Sequence, residues 1–443
     1  MSETLKTLIQ RHFASSSDLK SETIRIHDAR LELLYLDSIC DEKKIKDDLV
    51  RPILECTSKD DFWNYLTSLP GVTEPDENQD VLTKMISGHV CLFIDSELIL
   101  FSAENVINNQ LGEANTETAI YGSAHSFSDD IKTNVNLIRH RYPSSYLVYE
   151  KSKVGQTPQT EVALIYDSQL VDIEVLKEVQ ARLASVKTNV ILSAMHLQKL
   201  LTGRKFSLFP VMMITERPDR VALNLTQGKI VLLVQGTGNA LIAPAVFYDF
   251  ISSMDDIFQL YWISTCMVAL RYISIFITVL LPAIYISMVS INPEFFRVQL
   301  ALTIAGSREG VPYPSYIEVL IMMFLTEALI EASIRLPKSI SATATTVGGL
   351  ILGQAAQQAN LVSSIMIIVT SAIAIANFVV PINAMSFAIR IMKYPFVLLA
   401  SCFGVVGVVV GLFCMFIYLN DLKSFGKPYL KVFFGEKEKF GKR

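Results

Sequence analysis

The chain has 443 residues, 51% of them hydrophobic, with 39 Lys and Arg against 43 Asp and Glu for a net charge of −4. That length accommodates two or three domains, and a mean hydropathy of +0.38 is high for a soluble protein yet low for an all-membrane one. The balanced charge includes no basic stripe with interleaved aromatics, which argues against a nucleic-acid partner, and the scattered cysteines lack zinc-knuckle or CxxC spacing, which argues against a metal or redox centre.

Residues 1–29 read as an N-terminal tail. They contain no basic region followed by an apolar core, so the N-terminal domain is expected to stay cytoplasmic. DARLELLYLDSI (28–39) and EKKIKDDLVRPIL (42–54) space their aliphatics three and four apart and are expected as helices. Pro70-Gly71 and the TEPDENQD that follows (73–80) read as a turn or loop. GHVCLFID (88–95) reads as a buried strand, paired after a turn at Asp95-Ser96 with SELILF (96–101).

A helix capped by Ser128 or Asp129 is expected to run to about Arg141, with Arg139, His140 and Arg141 at its end. Strands are expected from Tyr146 and at VALIYDS (162–168), then an amphipathic helix at DIEVLKEVQARLASV (172–186). LTQGKIVLLVQG (225–236) with NALIAP (239–244) repeats the pattern of ISGHVCLFID (86–95) with SELILF. The repetition predicts two related α/β subdomains, at 30–142 and 143–255.

Beyond residue 256 charges become scarce, and apolar segments fall at 261–290, 314–332, 341–359, 361–380 and 395–419. Runs of about 20 apolar residues suit a bilayer, so 256–420 is expected as an all-α polytopic membrane domain of four to six segments, with a basic tail at 421–443. Arg335, Lys338, Arg390 and Lys393 favour the cytoplasmic side. The tail, with Lys423, Lys427, Lys431, Lys437, Lys439, Lys442 and Arg443, favours the same side, which requires an even number of crossings or a re-entrant segment.

Acidic residues persist here at Glu294, Glu309, Glu318, Glu327 and Glu331. Hydrocarbon accepts a carboxylate only where water, a partner charge or the protein interior receives it. Glu318 and Glu327, nine apart, do not share a face; Glu327, Glu331 and Arg335 form one stripe. Gathered around an axis, Glu318, Glu327 and Glu331 would line a cation pathway; alternatively they cap neighbouring elements or pair with Arg335 or Arg271. Arg308 and Glu309, between Gly306 and Gly310, suit either a charged hinge or a helix-start loop. Gly348, Gly349, Gly353 and Gln354 suit close helix packing or gating.

At SREGVPYP (307–314) a specific likeness emerges, joined by TERPD (215–219), LLPAIY (280–285), NPE (292–294), IRLP (334–337), GQAA (353–356) and LKSFGKPYL (422–430). DIKTN (130–134) and LIR (137–139) add to it in the soluble half. Over about residues 25–431 the chain resembles the GerA family, the A subunits of bacterial spore germinant receptors. The resemblance implies a multi-pass protein of the spore inner membrane, with its N-terminal domain on the core side. It implies assembly with B and C subunits into a pentameric, nutrient-gated channel for monovalent cations, in contact with lipid, with no catalytic centre and no cofactor. It also makes Arg139 and Arg141 candidates for contact with lipid phosphate, a partner subunit or a neighbouring domain. The chain departs from the family pattern at Gln358, Asn360 and Ser364 and in the tail after Tyr429. Alternatives from other classes are a secondary transporter and a non-conducting signal-transducing scaffold. An enzyme is least expected, since there is no P-loop, GxSxG or HExxH.

Overall fold

A computed structural model describes residues 2–26, 29–55, 59–73, 78–94, 97–106, 112–114, 117, 120–157, 159–203 and 207–431. The turn at Asp95-Ser96, residues 74–77 of the expected 73–80 loop, the Lys338 side chain and the lysine-rich tail beyond 431 lie outside the described residues, while 78–80, expected as loop, open a helix. The chain divides into two compact units, one built mainly from residues 1–205 and 211–245, the other mainly from 246–423.

The first unit contains two antiparallel five-stranded sheets. Strands β1 (Leu19–Ile26), β2 (Ala29–Leu36), β3 (Val72–Thr73), β4 (His89–Ile94) and β5 (Glu97–Ser102) lie in the order β1-β2-β4-β5-β3. The second sheet has β6 (Leu147–Val154), β7 (Thr160–Asp167), β8 (Met213–Thr215), β9 (Ile230–Val234) and β10 (Ala240–Ala243) in the order β6-β7-β9-β10-β8. Numbered from its own first strand, each sheet has the same order. The internal repetition in the sequence is thus a repeated topology, with β4 and β9 as its matching fourth strands.

Two expectations in the first subdomain are corrected. The DARLELLYLDSI segment forms β2, a strand and not a helix. As an inner strand it is buried on both sides: Leu31, Leu33 and Tyr35 enter one core, Leu34 and Leu36 the other. Apolar residues on both faces of a strand produce helical spacing by coincidence. The supposed N-terminal tail holds α1 (Ser2–His12) and the edge strand β1, whose half-polar composition fits a strand with one neighbour. Leu5, Ile9 and Phe13, with Val81 and Met85 of α5 (Asn78–Ile86), cover one face of the sheet. The other face is covered from α2 (Glu42–Ile45), the π-turn at Lys46–Val50, α3 (Arg51–Glu55) and α4 (Lys59–Ser68), through Ile45, Leu49, Ile53, Phe62 and Leu66.

The second sheet is also covered twice. Alternate residues Val162, Leu164, Ile230 and Leu232 meet Val175, Val179 and Leu183 of α7 (Ile173–Ser185) and Leu197 and Leu201 of α8 (Ala194–Thr202). The opposite face receives α6 (Ile131–Arg141) and α9 (Pro218–Thr226). Helix α6, expected to close the first subdomain, therefore packs on the second sheet while its Asn136 and Arg139 reach Ser38, Asn105 and Asp18 beside the first. Its cap is Asp130, whose carboxylate accepts from the Thr133 amide and hydroxyl at 2.9 Å each. Asn134 fixes the preceding loop by accepting from Ser128 N (2.8 Å) and donating to Ser128 O (2.6 Å).

The second unit is helical: α10 (Asp255–Phe258), α11 (Tyr261–Ile286), α12 (Val298–Ser307), α13 (Ser315–Arg335), α14 (Lys338–Gln358), α15 (Ser364–Phe378) and α16 (Asn383–Asp421). Among the described residues, two helical stretches, Tyr261–Ile291 and Asn383–Asp421, are long and apolar enough to cross a membrane. Helix α11 packs along α16 and α15, and α13 pairs with α14. Gly404 breaks α16 at φ 60°, where an added Cβ would clash with Asn292 Oδ1; that oxygen accepts from Val405 N at 3.2 Å. The kink frees a backbone donor and Asn292 recovers it. Residues 428–431, read from sequence as tail, pack back: Tyr429 is buried among Phe209, Phe247 and Phe250.

Candidate functional site

The polar groups of α13 organise the helical unit. Glu318, in its first turn, is fully buried. One carboxylate oxygen accepts from Ser363 N and Ser363 Oγ at 2.6 Å each. The other accepts from Tyr285 Oη at 3.2 Å and lies 3.3 Å from Arg308 Nε. Ser363 is itself the N-cap of α15, accepting from Met366 N at 3.2 Å. Glu318 therefore places a negative charge at a helix N-terminus, where the macrodipole favours it, with a guanidinium alongside. Arg308 is held further by donating to Tyr313 O at 3.1 Å, while Glu309 is exposed.

Glu327 points elsewhere. Nine residues turn an α-helix by about 900°, half a turn beyond whole turns, so its partners come from a different helix. Glu327 Oε2 accepts from Arg390 Nε at 2.9 Å and from Arg390 Nη2, and Oε1 accepts from Lys393 Nζ at 2.8 Å. The Lys393 side chain is 2% exposed and that of Arg390 10%. Sequence reasoning used both cations only to orient the chain, and missed that they close on Glu327. The available signal was their spacing: three residues apart on α16, they share one face.

The remaining candidates separate into two kinds. Glu331 and Arg335 form an exposed pair one turn apart, Nη2 to Oε1 2.7 Å. Arg271 pairs with Asp256, not with a glutamate of α13. Gly348 and Gly349 of α14 approach Leu329 of α13, where an added Cβ would come within 3.2 and 3.3 Å; an added Cβ at Gly353 would meet nothing within 4 Å, and Gln354 is exposed.

In the sheet-containing unit, Arg139 is a core residue. Its guanidinium meets Asp18 at 2.9 Å with both side chains buried, and Asp18 also accepts from Ser38 N (2.9 Å) and Ser38 Oγ (2.6 Å). Asn136, one turn earlier, donates to Ser38 O and Asn105 O at 2.8 Å each. Arg139 is thus committed to internal contacts and presents nothing to lipid or to another chain. Arg141 is exposed and donates to Ser123 Oγ at 2.7 Å. Nearby, Asp37 is flanked by Lys20 (2.6 Å) and Lys132 (2.8 Å). Burial raises its pKa, but those two ammonium groups overcome this and hold it at about 2.

Comparison with known proteins decides the family. Residues 7–440 match the family described as "Bacillus/Clostridium GerA spore germination protein". The chain belongs to the GerA family. Relatives include spore germination protein KA of Bacillus subtilis, 32% identical over 95% of this chain and 79% of the relative. Spore germination protein B1 of the same organism is 34% identical over 95% and 89%, and GerLA of Bacillus cereus is 36% identical over 79% and 72%. Among solved structures, the N-terminal domain of the A subunit of the Bacillus megaterium spore germinant receptor GerK3 matches with a TM-score of 0.43 at 26% identity, covering 55% of this chain and 94% of that one. Several of the GerA-like sequence blocks coincide with the contacts above: Tyr285 and Arg308 at Glu318, Asn292 at the Gly404 kink, and Asp130, Asn134 and Arg139 around α6.

Proposed function

We propose that this chain is a germinant-receptor A subunit acting in spore germination, and that its helical unit forms the pore and gate of a nutrient-gated channel for monovalent cations. In this reading it is a multi-pass protein of the spore inner membrane, assembled as a homo-oligomer, pentameric as the family resemblance implies, with B- and C-type partners. The observation that carries the reading is the surface of α13 and α14. No described side chain from 324 to 355 is buried, although the stretch includes Phe324, Ile340, Leu350, Ile351 and Leu352. An apolar, glycine-bearing helical pair left uncovered within one chain calls for lipid on one side and further copies on the other. Copies meeting there would gather α14, with its threonines and glycines, around a common axis, and leave Glu331 and Arg335 near the end of the path.

A transporter would ordinarily bring an internal repeat to its helical part; the repeat here lies in the sheets. The test is potassium flux into liposomes carrying the full chain with B- and C-type partners, with a mixture of L-amino acids, glucose and KCl as the stimulus. Stimulated flux, with potassium-to-chloride selectivity lowered about two- to fivefold in Glu331→Gln, is expected, since an exposed carboxylate near a pore mouth concentrates cations modestly. Assembled complexes that pass no ions would refute the channel reading.

A further inference from the structure

The cluster joining α13 to α16 has two cations for one carboxylate. Glu327 sits on a part of α13 beyond its last buried residue, Met323, whereas Arg390 and Lys393 sit on a part of α16 that is packed through Met385, Ala388, Ile389 and Phe396. The cations therefore belong to a fixed helix and the carboxylate to a thinly packed one. From 324 to 355 the α13–α14 pair has no buried side chain to hold it in place among the described residues. Its own two helices cohere through Leu329 against Gly348 and Gly349, so the pair is internally tight and externally loose. That combination is what a helical arm able to move as one piece requires.

We propose that Arg390 and Lys393 are positioning residues that clip this arm to α16 through Glu327, and that release of the clip is the step by which the arm moves. One feature of the cluster suits a clip that can open. The Arg390 guanidinium lies 5.3 Å from the Phe387 ring and the Lys393 ammonium 5.7 Å from the Tyr394 ring, so each cation retains a favourable neighbour when the carboxylate leaves. The packed end of α13 supplies the hinge, because Glu318 there is fully buried and held by Ser363 and Arg308 independently of Arg390 and Lys393.

The inference rests on the channel reading only for the consequence of the movement, so its test reads the arm itself. Hydrogen exchange would be followed by mass spectrometry on the full chain in nanodiscs of phosphatidylglycerol and phosphatidylethanolamine. In Glu327→Gln, exchange over 324–355 is expected to rise about tenfold or more, while α11 and the first turns of α13 stay as in the wild type. Lys393→Met leaves a one-to-one pair and should change the arm by less than about threefold. The relocated cluster Glu327→Arg/Arg390→Glu keeps two cations and one carboxylate across the same helices and should restore protection to within about threefold of wild type. An unchanged arm in Glu327→Gln, or a rise spread evenly over every helix, would overturn the clip, as would failure of the relocated cluster in a protein whose α11 exchanges normally. Potassium leak from liposomes is read in parallel. Exchange that responds as expected without leak in any variant would sustain the clip and count against the channel.

Discussion

Arg139, fully buried, and Glu327, 22% exposed, are both charged groups paired inside the protein, and the two regions treat them differently. Arg139 lies in a core filled from both faces of α6, opposite one aspartate that is also held by Ser38. Glu327 faces two cations, yet the helix that carries it has lost its packing by that point. In the first case the surrounding core fixes the geometry and the ion pair adapts to it. In the second the ion cluster is a principal fixed point of its segment. A buried pair in a dense core serves architecture; the same chemistry on a thinly packed helix is suited to a switch.

The sharpest way to break this comparison is to remove the architectural charge. Arg139→Met leaves Asp18 buried without its counter-ion, and loss of one partner of a buried pair costs about 3–5 kcal/mol. The expected result is a marked fall in the unfolding temperature of the full chain in detergent. It would be followed through Trp63, which packs on the first sheet's core, in a Trp262→Phe background. The paired change Arg139→Met with Asp18→Asn should recover part of the loss. A loss below about 1 kcal/mol, the range of surface pairs, would place Arg139 with the solvated charges and erase the contrast.

Much of the contrast was within reach of the sequence. The repeated glycine-then-aliphatic pattern located the two equivalent strands β4 and β9, because strands at the same place in a repeated sheet face the same burial on both sides. The half-turn offset between Glu318 and Glu327 was legible from their spacing alone, and it separates a cap on α15 from a clip to α16. Their partners were not legible. Ser363, Arg390 and Lys393 lie 45, 63 and 66 residues from the glutamates they meet, and helical periodicity carries no information over such distances. The β2 error has the opposite cause: LELLYL satisfies two periods at once, and only burial on both faces of an inner strand decides between them.

A weaker test compares pH response. Asp37 is held at about 2 in the folded chain against an ordinary 3.8, with Lys132 and Lys20 overcoming the upward effect of burial. A depressed acid contributes stability that is present above its unfolded value and lost as pH falls through the folded one. The sheet-containing unit should therefore lose stability as pH falls from 3.8 towards about 2. Lys132→Met should flatten that acid limb, since the folded and unfolded values then lie closer together. Acid titration of Trp63 emission measures it, and equal slopes in both proteins would show that Asp37 is not what links the fold to pH.

The smallest expected effect separates the clip from its neighbour on the same helix. Glu331 and Arg335 pair at 2.7 Å, one turn along from Glu327, with side chains 56% and 78% exposed. Solvent screens such a pair, and an exposed i,i+4 contact contributes about 0.3–0.5 kcal/mol. Arg335→Gln should accordingly leave both the unfolding temperature and the exchange of residues 324–355 within error of wild type, although Glu331 and Glu327 lie on one stripe. If Arg335→Gln instead loosened the arm as much as Glu327→Gln, the whole acidic stripe would be the fixed point. The distinction would then lie in the net charge of α13, not in the two cations of α16.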